Sequence, residues 1–248
     1  MDNSQQFPVP PRAFDGTSRV VDPGACFDWL RQGWALFVAH PGIWIACAVL
    51  TLVILMAPSI VPLVGQMATF LLMPVMGAGL LHVCRRQSEG ADPQIADLFV
   101  GFKESAGNLV MVGLIYGVAM IAVHLVVGIV VGGGVIGGVA DGTPVGLGII
   151  FGSLLLGLLL VIVLATPLFM AVWFAPALVF LNHMAPVDAM KASFHACLKN
   201  WLAFLIYGVI LFVLFFFSAL LLGLGFLVLI PVMAGALYAS YRDVFLVV

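Results

Sequence analysis

IWIACAVLTLVILMAPSIV, running from Ile43 to Val61, is the stretch whose reading decides the fold. It holds no charged residue, and ten of its positions are Ile, Leu or Val. At roughly -0.3 to -0.6 kcal/mol for each such residue on the insertion scale, its transfer into a bilayer is strongly favoured. The rest of the chain has the same character. Of 248 residues, 64% are hydrophobic and 8% charged, and the mean hydropathy is +1.24. Soluble domains carry about 45–50% apolar and about 25% charged residues. So few charges cannot keep a globule of this size in water, and lipid is the solvent that fits.

A hydrocarbon core takes about 20 apolar residues per helix. After a turn containing Pro58, Pro62 and Gly65, residues 66–84 make the return limb of a helical hairpin. Further spans are read over residues 109–131, 147–181, 202–222 and 224–241, giving six with 43–61. Residues 132–148 are read as a glycine-rich connection, because Asp141-Gly142 and Pro144 are turn formers. The 147–181 stretch is too long for one upright crossing. A crossing to about Thr166 is therefore expected, with a bent continuation past Pro167 and Pro176 to Asn182 and His183. Gly223 and Gly225 divide the last two spans.

Charge sets the orientation. Arg12, Arg19 and Arg31 precede the first span, Arg85, Arg86 and Lys103 lie between the second and third, Lys191 and Lys199 between the fourth and fifth, and Arg242 at the end. The alternate connections carry no basic residue, which the positive-inside rule reads as an even number of spans with both termini cytoplasmic. Residues 1–22 are polar and proline-containing, without the apolar core of a signal peptide, and are expected to form a disordered cytoplasmic tail ahead of a single membrane domain over residues 23–248. A net charge of -2 points to no nucleic-acid partner. Cys26, Cys47, Cys84 and Cys197 lack CxxC spacing and read as free thiols.

The sequence also repeats itself. LMPVMGAGLL (Leu72–Leu81) matches LIPVMAGALY (Leu229–Tyr238), aligning Pro74 with Pro231. IYGV occurs at Ile115–Val118 and Ile206–Val209, each behind a similar approach, Phe102 to Asn108 and Phe194 to Asn200. The expected fold class is thus an all-α integral membrane protein, its six transmembrane helices built as three parallel hairpin repeats with amphipathic lead-in helices. The middle unit fits least well, with Thr166-Pro167 set against Met73-Pro74. The lead-in stripes are Phe27, Leu30, Trp34, Phe37 and Val38; Ile95, Leu98, Phe99 and Phe102 behind an Asp92-Pro93 start; and Met190, Phe194, Cys197, Leu198 and Trp201. Trp29, Trp34 and Trp201 are expected to anchor in the headgroup layer.

Few residues invite chemistry. His124 is the one ionisable side chain within a span. Neutral and hydrogen-bonded to a neighbouring helix it is packing; protonated it would relay a proton, but no intramembrane partner supports that. His82 with Cys84 and His195 with Cys197 hold zinc-type ligands, yet residues two apart on a helix diverge by about 200°. Gly128 with Gly132 and Gly148 with Gly152 form GxxxG pairs, expected to pack the third and fourth spans tightly together, the alternative being a contact between subunits. Ser153, Thr166 and Ser218 lack His and Asp partners and are expected to bond to their own helices. Asp92, Asp97, Glu104 and Asp188 read as helix N-terminal or solvated residues. No catalytic, cofactor-binding or metal-binding residue is assigned, and no cofactor.

WLRQGWALFVAHPGIWI, MPVMGAGLL and the terminal YASYRDVF resemble an uncharacterised family of bacterial inner-membrane proteins, over nearly the whole length after residue 20. APALVFLNHMAPVDAMKASFHACLKNWLAFLI is similar to the membrane domain attached to some glycerophosphodiester phosphodiesterases, but the hydrolase domain and its metal-binding carboxylates have no counterpart in this sequence. Two functional expectations follow. One is a structural or accessory membrane component, not an enzyme, surrounded by membrane lipids and partnered by a second copy or another membrane protein. The other is a transporter or lipid-handling protein for a neutral or apolar substrate, suggested by the repeats and by proline-broken helices.

Overall fold

A computed structural model describes Phe14, residues 16–61 and residues 64–246. Among them the chain is helical: α1 (Ala25–Ala39), α2 (Pro41–Met56) continued by a 3-10 turn at Ala57–Ile60, α3 (Val64–Ser88), a 3-10 turn at Ile95–Phe99, α4 (Gly101–Glu104), α5 (Ala106–Asp141), α6 (Pro144–Trp173), α7 (Ala175–Asn182), α8 (Pro186–Lys199), α9 (Trp201–Leu220) and α10 (Phe226–Phe245). Five helical stretches are long and apolar enough to cross a membrane, α6 with α7 counting as one; α1 with α2, bent by 106°, qualifies only as a pair, so the count is five, or six with that pair. The expected span over 43–61 is α2 continued by the 3-10 turn. Its α-helix ends at Met56, and Pro62 of the expected turn lies outside the described residues.

The expected connection over residues 132–148 is instead helix. α5 continues to Asp141, and the reversal takes only Gly142, at φ 66°, and Thr143. In lipid every backbone group needs an internal partner, so glycine here shapes a contact surface and does not end the helix. A Cβ on Gly134 would overlap Ser153, one on Gly138 would overlap Gly146, and one on Gly157 would overlap Val131. The tight packing expected of the third and fourth spans is present, but the pairs that make it are Gly134 with Gly138 and Ser153 with Gly157. Gly128, Gly132, Gly148 and Gly152 face open space.

The long apolar stretch runs through Pro167 and breaks at Phe174, not near Thr166. Two causes meet there. Pro176 has no N–H for the ladder, and the buried Ser193 of α8 inserts its hydroxyl, accepting from the Phe174 N–H at 2.9 Å and donating to the Met170 carbonyl at 2.7 Å. Ser193 therefore replaces the bond those two groups would make to each other. The break at Gly223 and Gly225 falls where expected: Leu222 and Gly223 adopt φ 56° and 83°, and Gly225 rests on Ser218.

The lead-in segments pack more deeply than headgroup anchors. α1 buries Cys26, Trp29, Gly33, Leu36 and Phe37, a face offset from the expected stripe, and lays it against α10. Trp29 is a core residue whose Nε1 donates to Asp243 at 3.1 Å; Trp34 and Trp201 are exposed. Gly33 explains the offset, since a hydropathy stripe passes over a glycine whose missing Cβ admits the backbone of Val232. The second lead-in starts at Gln94, not at Asp92-Pro93. Its capping box runs between Gln94 and the buried Asp97, and the segment is a 3-10 turn followed by α4.

Residues 1–13 and 15 of the expected tail lie outside the described residues, but 16–22 are docked. Buried Asn200 accepts from the Val21 N–H at 2.8 Å and donates to the Arg19 carbonyl at 2.9 Å. Arg19 also pairs with Asp243. Such contacts bring Arg19, Lys199 and Arg242 together at one end of the bundle; Arg86 meets Asp97, and Gln87 ties the Trp44 indole to the Leu36 carbonyl.

Candidate functional site

Three helical stretches turn the same kind of face inward. α3 presents Met73, Met76, Gly77 and Leu80; α10 presents Ile230, Met233, Ala234 and Leu237; the α6–α7 junction presents Phe169, Val172, Trp173 and Pro176. Each set follows i, i+3, i+4, i+7, one side of a helix. Between them lies a cavity of about 360 Å³, closed by Thr51, Leu52 and Leu55 of α2, Tyr116 of α5 and Phe215 of α9. That volume is within the roughly 300–1,000 Å³ of small-molecule sites. Met76, Leu81, Val172 and Pro176 form a buried floor, whereas Met73, Phe169 and Phe215 are exposed at the rim.

The cavity sits at mid-bundle. Thr51 is eleven residues beyond His40, Pro74 eleven before Arg85 and Trp173 nine before Asn182. At about 1.5 Å per residue each lies roughly 14–17 Å from the basic end, about half the roughly 30 Å hydrocarbon thickness. The proline in α3 helps to shape this region, since Pro74 cannot donate to the helix ladder.

Two lining residues each carry a buried polar atom without a partner among the described residues, Thr51 Oγ1 and the Nε1 of half-buried Trp173, and neither atom opens onto the cavity. Thr51 departs from the pattern of the other hydroxyls. Thr69, Ser153, Thr166 and Ser240 each donate to a carbonyl of their own helix, as membrane hydroxyls commonly do. Trp173 is held by rings: Phe169, Tyr207 and Phe204 have centroids 5.2, 5.9 and 6.4 Å away, and none offers its indole an acceptor.

The residues singled out from the sequence lie elsewhere. His124 is exposed on α5, and its Nδ1 lies 2.7 Å from the Met120 carbonyl of its own helix, not of a neighbour. His82 stands 3.2 Å from Arg85 and 3.8 Å from Asp97, with its ring edge-on to Phe180. Cys84 and Cys197 are buried in the core, while His195 is exposed and bonded back to Lys191. Burial pushes the Cys197 thiol up to about 12, away from the thiolate that a metal requires. Among the described residues no three His, Cys, Asp or Glu side chains converge on a metal position. Thr51 and Trp173 were not among the sequence candidates. The signal available was a lone threonine within an otherwise apolar stretch and a tryptophan far from any span end.

The fold defines a multi-pass helical membrane protein with an internal apolar cavity. The chain is similar to a protein of Burkholderia thailandensis named a probable inner membrane protein, 28% identical over 241 residues that cover 88% of this chain and 89% of that one. No family model matches the chain, and no solved structure matches it. The relative's name and the apolar helices place the protein in the inner membrane; that name states no activity and mentions no phosphodiesterase.

Proposed function

We propose that this chain is a six-span protein of three parallel hairpin units, termini cytoplasmic, which holds a neutral or apolar molecule of lipid type in the cavity between its units. The observation that carries the reading is the cavity itself, to which α3, α10 and the α6–α7 junction contribute equivalent helical faces. A purely structural protein has no need of such a space.

Further contacts support the threefold design. Gly33 of α1 meets the Val232 carbonyl, one residue beyond Pro231, and Gly101 of α4 meets the Val75 carbonyl, one residue beyond Pro74. Ser193 of α8 stands against the Met170 carbonyl of α6, one residue short of the corresponding place. Each lead-in thus packs on the returning span of the unit before it, and the first packs on the last, so the three close into a ring. Cavity spacing aligns Met170, not Pro167, with Pro74 and Pro231. For the count of six, α2 and its 3-10 turn add sixteen and four residues, about 32 Å at the usual rises, enough to cross the hydrocarbon.

Exposed apolar rim residues favour entry from the bilayer, and the absence of any charged side chain among the described lining residues favours an uncharged occupant. The accessory reading retains one point in its favour. The open glycine pairs Gly128 with Gly132 and Gly148 with Gly152 suit a second copy.

The test is to extract the full-length protein from native membranes and quantify co-purifying neutral lipids by mass spectrometry. The position that a Cβ on Gly77 would take has no neighbouring atom nearer than 3.9 Å, so Gly77→Leu should fill the cavity and displace its occupant. Neutral lipid recovered in the same amount from both proteins would sink the proposal.

A further inference from the structure

Three arginines of this chain meet a carboxylate: Arg19 pairs with Asp243, Arg31 with Asp28 and Arg86 with Asp97. Arg85 does not. Among the described residues no carboxylate makes an ion pair with it, yet its guanidinium is held from two sides. Its Nη2 lies 3.2 Å from His82 Nδ1, and its central carbon 5.8 Å from the centre of the Phe180 ring.

A guanidinium only donates, so Nδ1 accepts and the imidazole proton sits on Nε2, which faces Asp97 Oδ1 at 3.8 Å. Asp97 is fixed in turn, receiving Arg86 at 3.2 Å and the Gln94 N–H at 2.8 Å. A buried carboxylate thus orients His82, and His82 orients Arg85. The other donors of Arg85 are left over. Its Nε and Nη1 make no hydrogen bond among the described residues, and neither is sealed from solvent as Thr51 Oγ1 and Tyr207 Oη are. Arg85 stands four residues beyond Leu81, and Phe180 four beyond Pro176, so the cluster lies one helical turn from the cavity wall toward the basic end. A second guanidinium borders it, since Arg242 lies over Tyr238, whose hydroxyl is 3.1 Å from Ser88 of α3. The planar fork of an arginine takes phosphate oxygens through parallel N–H bonds, and phosphate is the anion that a membrane offers where its helices leave the hydrocarbon. We infer that Arg85 anchors a phosphate-binding site at the basic end of the bundle, with His82 and Asp97 as positioning residues.

A phospholipid headgroup and a soluble phosphate ester share that chemistry. The full-length protein, purified in an alkyl maltoside, is titrated with radiolabelled dioleoylphosphatidylglycerol and, separately, with radiolabelled glycerol phosphate. At least one should bind saturably, and the arm that binds identifies the source. Dioleoylglycerol in the first arm and glycerol in the second lack the phosphate and should not displace the label. Arg85→Gln should weaken binding about 10-fold or more, as expected for hydrogen bonds to a charged group. Arg31→Gln, at an exposed arginine paired with Asp28, should leave it unchanged. His82→Phe should weaken it about 3- to 10-fold, whereas His82→Asn, whose amide oxygen stands in for Nδ1, should retain it.

Binding of neither probe overturns the inference, as does displacement of the label by the phosphate-free compound as readily as by unlabelled probe. A folded Arg85→Gln protein that binds like the wild type also overturns it. The displacement comparison uses wild-type protein alone and decides even where a variant fails to fold. Each outcome leaves the cavity function standing, because the lipid recovered there is neutral.

Discussion

Gly33 lies against the carbonyl oxygen of Val232 with no room between them for a Cβ. The contact lets α1 wedge beside α10 and bury Trp29, whose ring reaches Phe204 and Tyr207 of α9. Gly101 stands in the same relation to Val75. In lipid, where association rests on close packing more than on water release, such small-residue contacts are a principal means of holding helices together.

Gly33→Val should therefore displace α1 and destabilise the protein by about 1–3 kcal/mol or more, the usual range for overpacking. Gly101→Val should do the same. Gly42→Ala, at a glycine with open space around it, is the control. Thermal unfolding in detergent measures all three, and a Gly33→Val protein as stable as the control would contradict the contact.

Ser193→Ala removes the hydroxyl that joins Phe174 to Met170. The buried Phe174 N–H and the partly buried Met170 carbonyl then lose their partner, at about 1–3 kcal/mol. The kink should loosen and expose the α6–α7 junction to faster hydrogen exchange. Unchanged exchange at Phe174 would show that Pro176 alone makes the break.

Cys197 lies outside the spans in α8, and burial raises its thiol from 9.0 to about 12. A folded pKa above the unfolded one means that the folded state holds its proton longer. The stability this contributes is complete below about pH 9 and is lost as pH rises toward about 12. At pH 8 Cys197 should resist maleimide until the protein unfolds. Rapid labelling of native protein at that site would contradict the burial.

A topology reporter inserted after Asp141 should face away from the cytoplasm, and one fused after Arg242 should face into it, since the basic residues fall in alternate connections of the sequence. Both reporters on one side would remove the six-span count.

Membrane residence and the helical class were legible from Ile43–Val61 and its sister stretches, because insertion depends on summed side-chain hydrophobicity, which is a local property. The break at Gly223 was legible too, since positive φ favours glycine. The turn expected over residues 132–148 was not. Glycine ends helices in water, but within a bilayer it opens a face for a neighbour, and composition cannot tell the two apart. Among overlapping glycine pairs, Gly134 with Gly138 faces α6 while Gly128 with Gly132 faces outward; only rotation of the packed helix chooses.

What the chain determined alone is its solvent, its helical state and the segregation of its basic residues, all sums over neighbours in sequence. Tertiary structure decided the rest. It set Ser193 into the backbone of α6, drew Trp29 inward, and brought Thr51 and Trp173, far apart in the chain, to the wall of one cavity. The physical reason is that a hydrogen bond left unmade belongs to a place, and that place exists only once distant helices have closed around it.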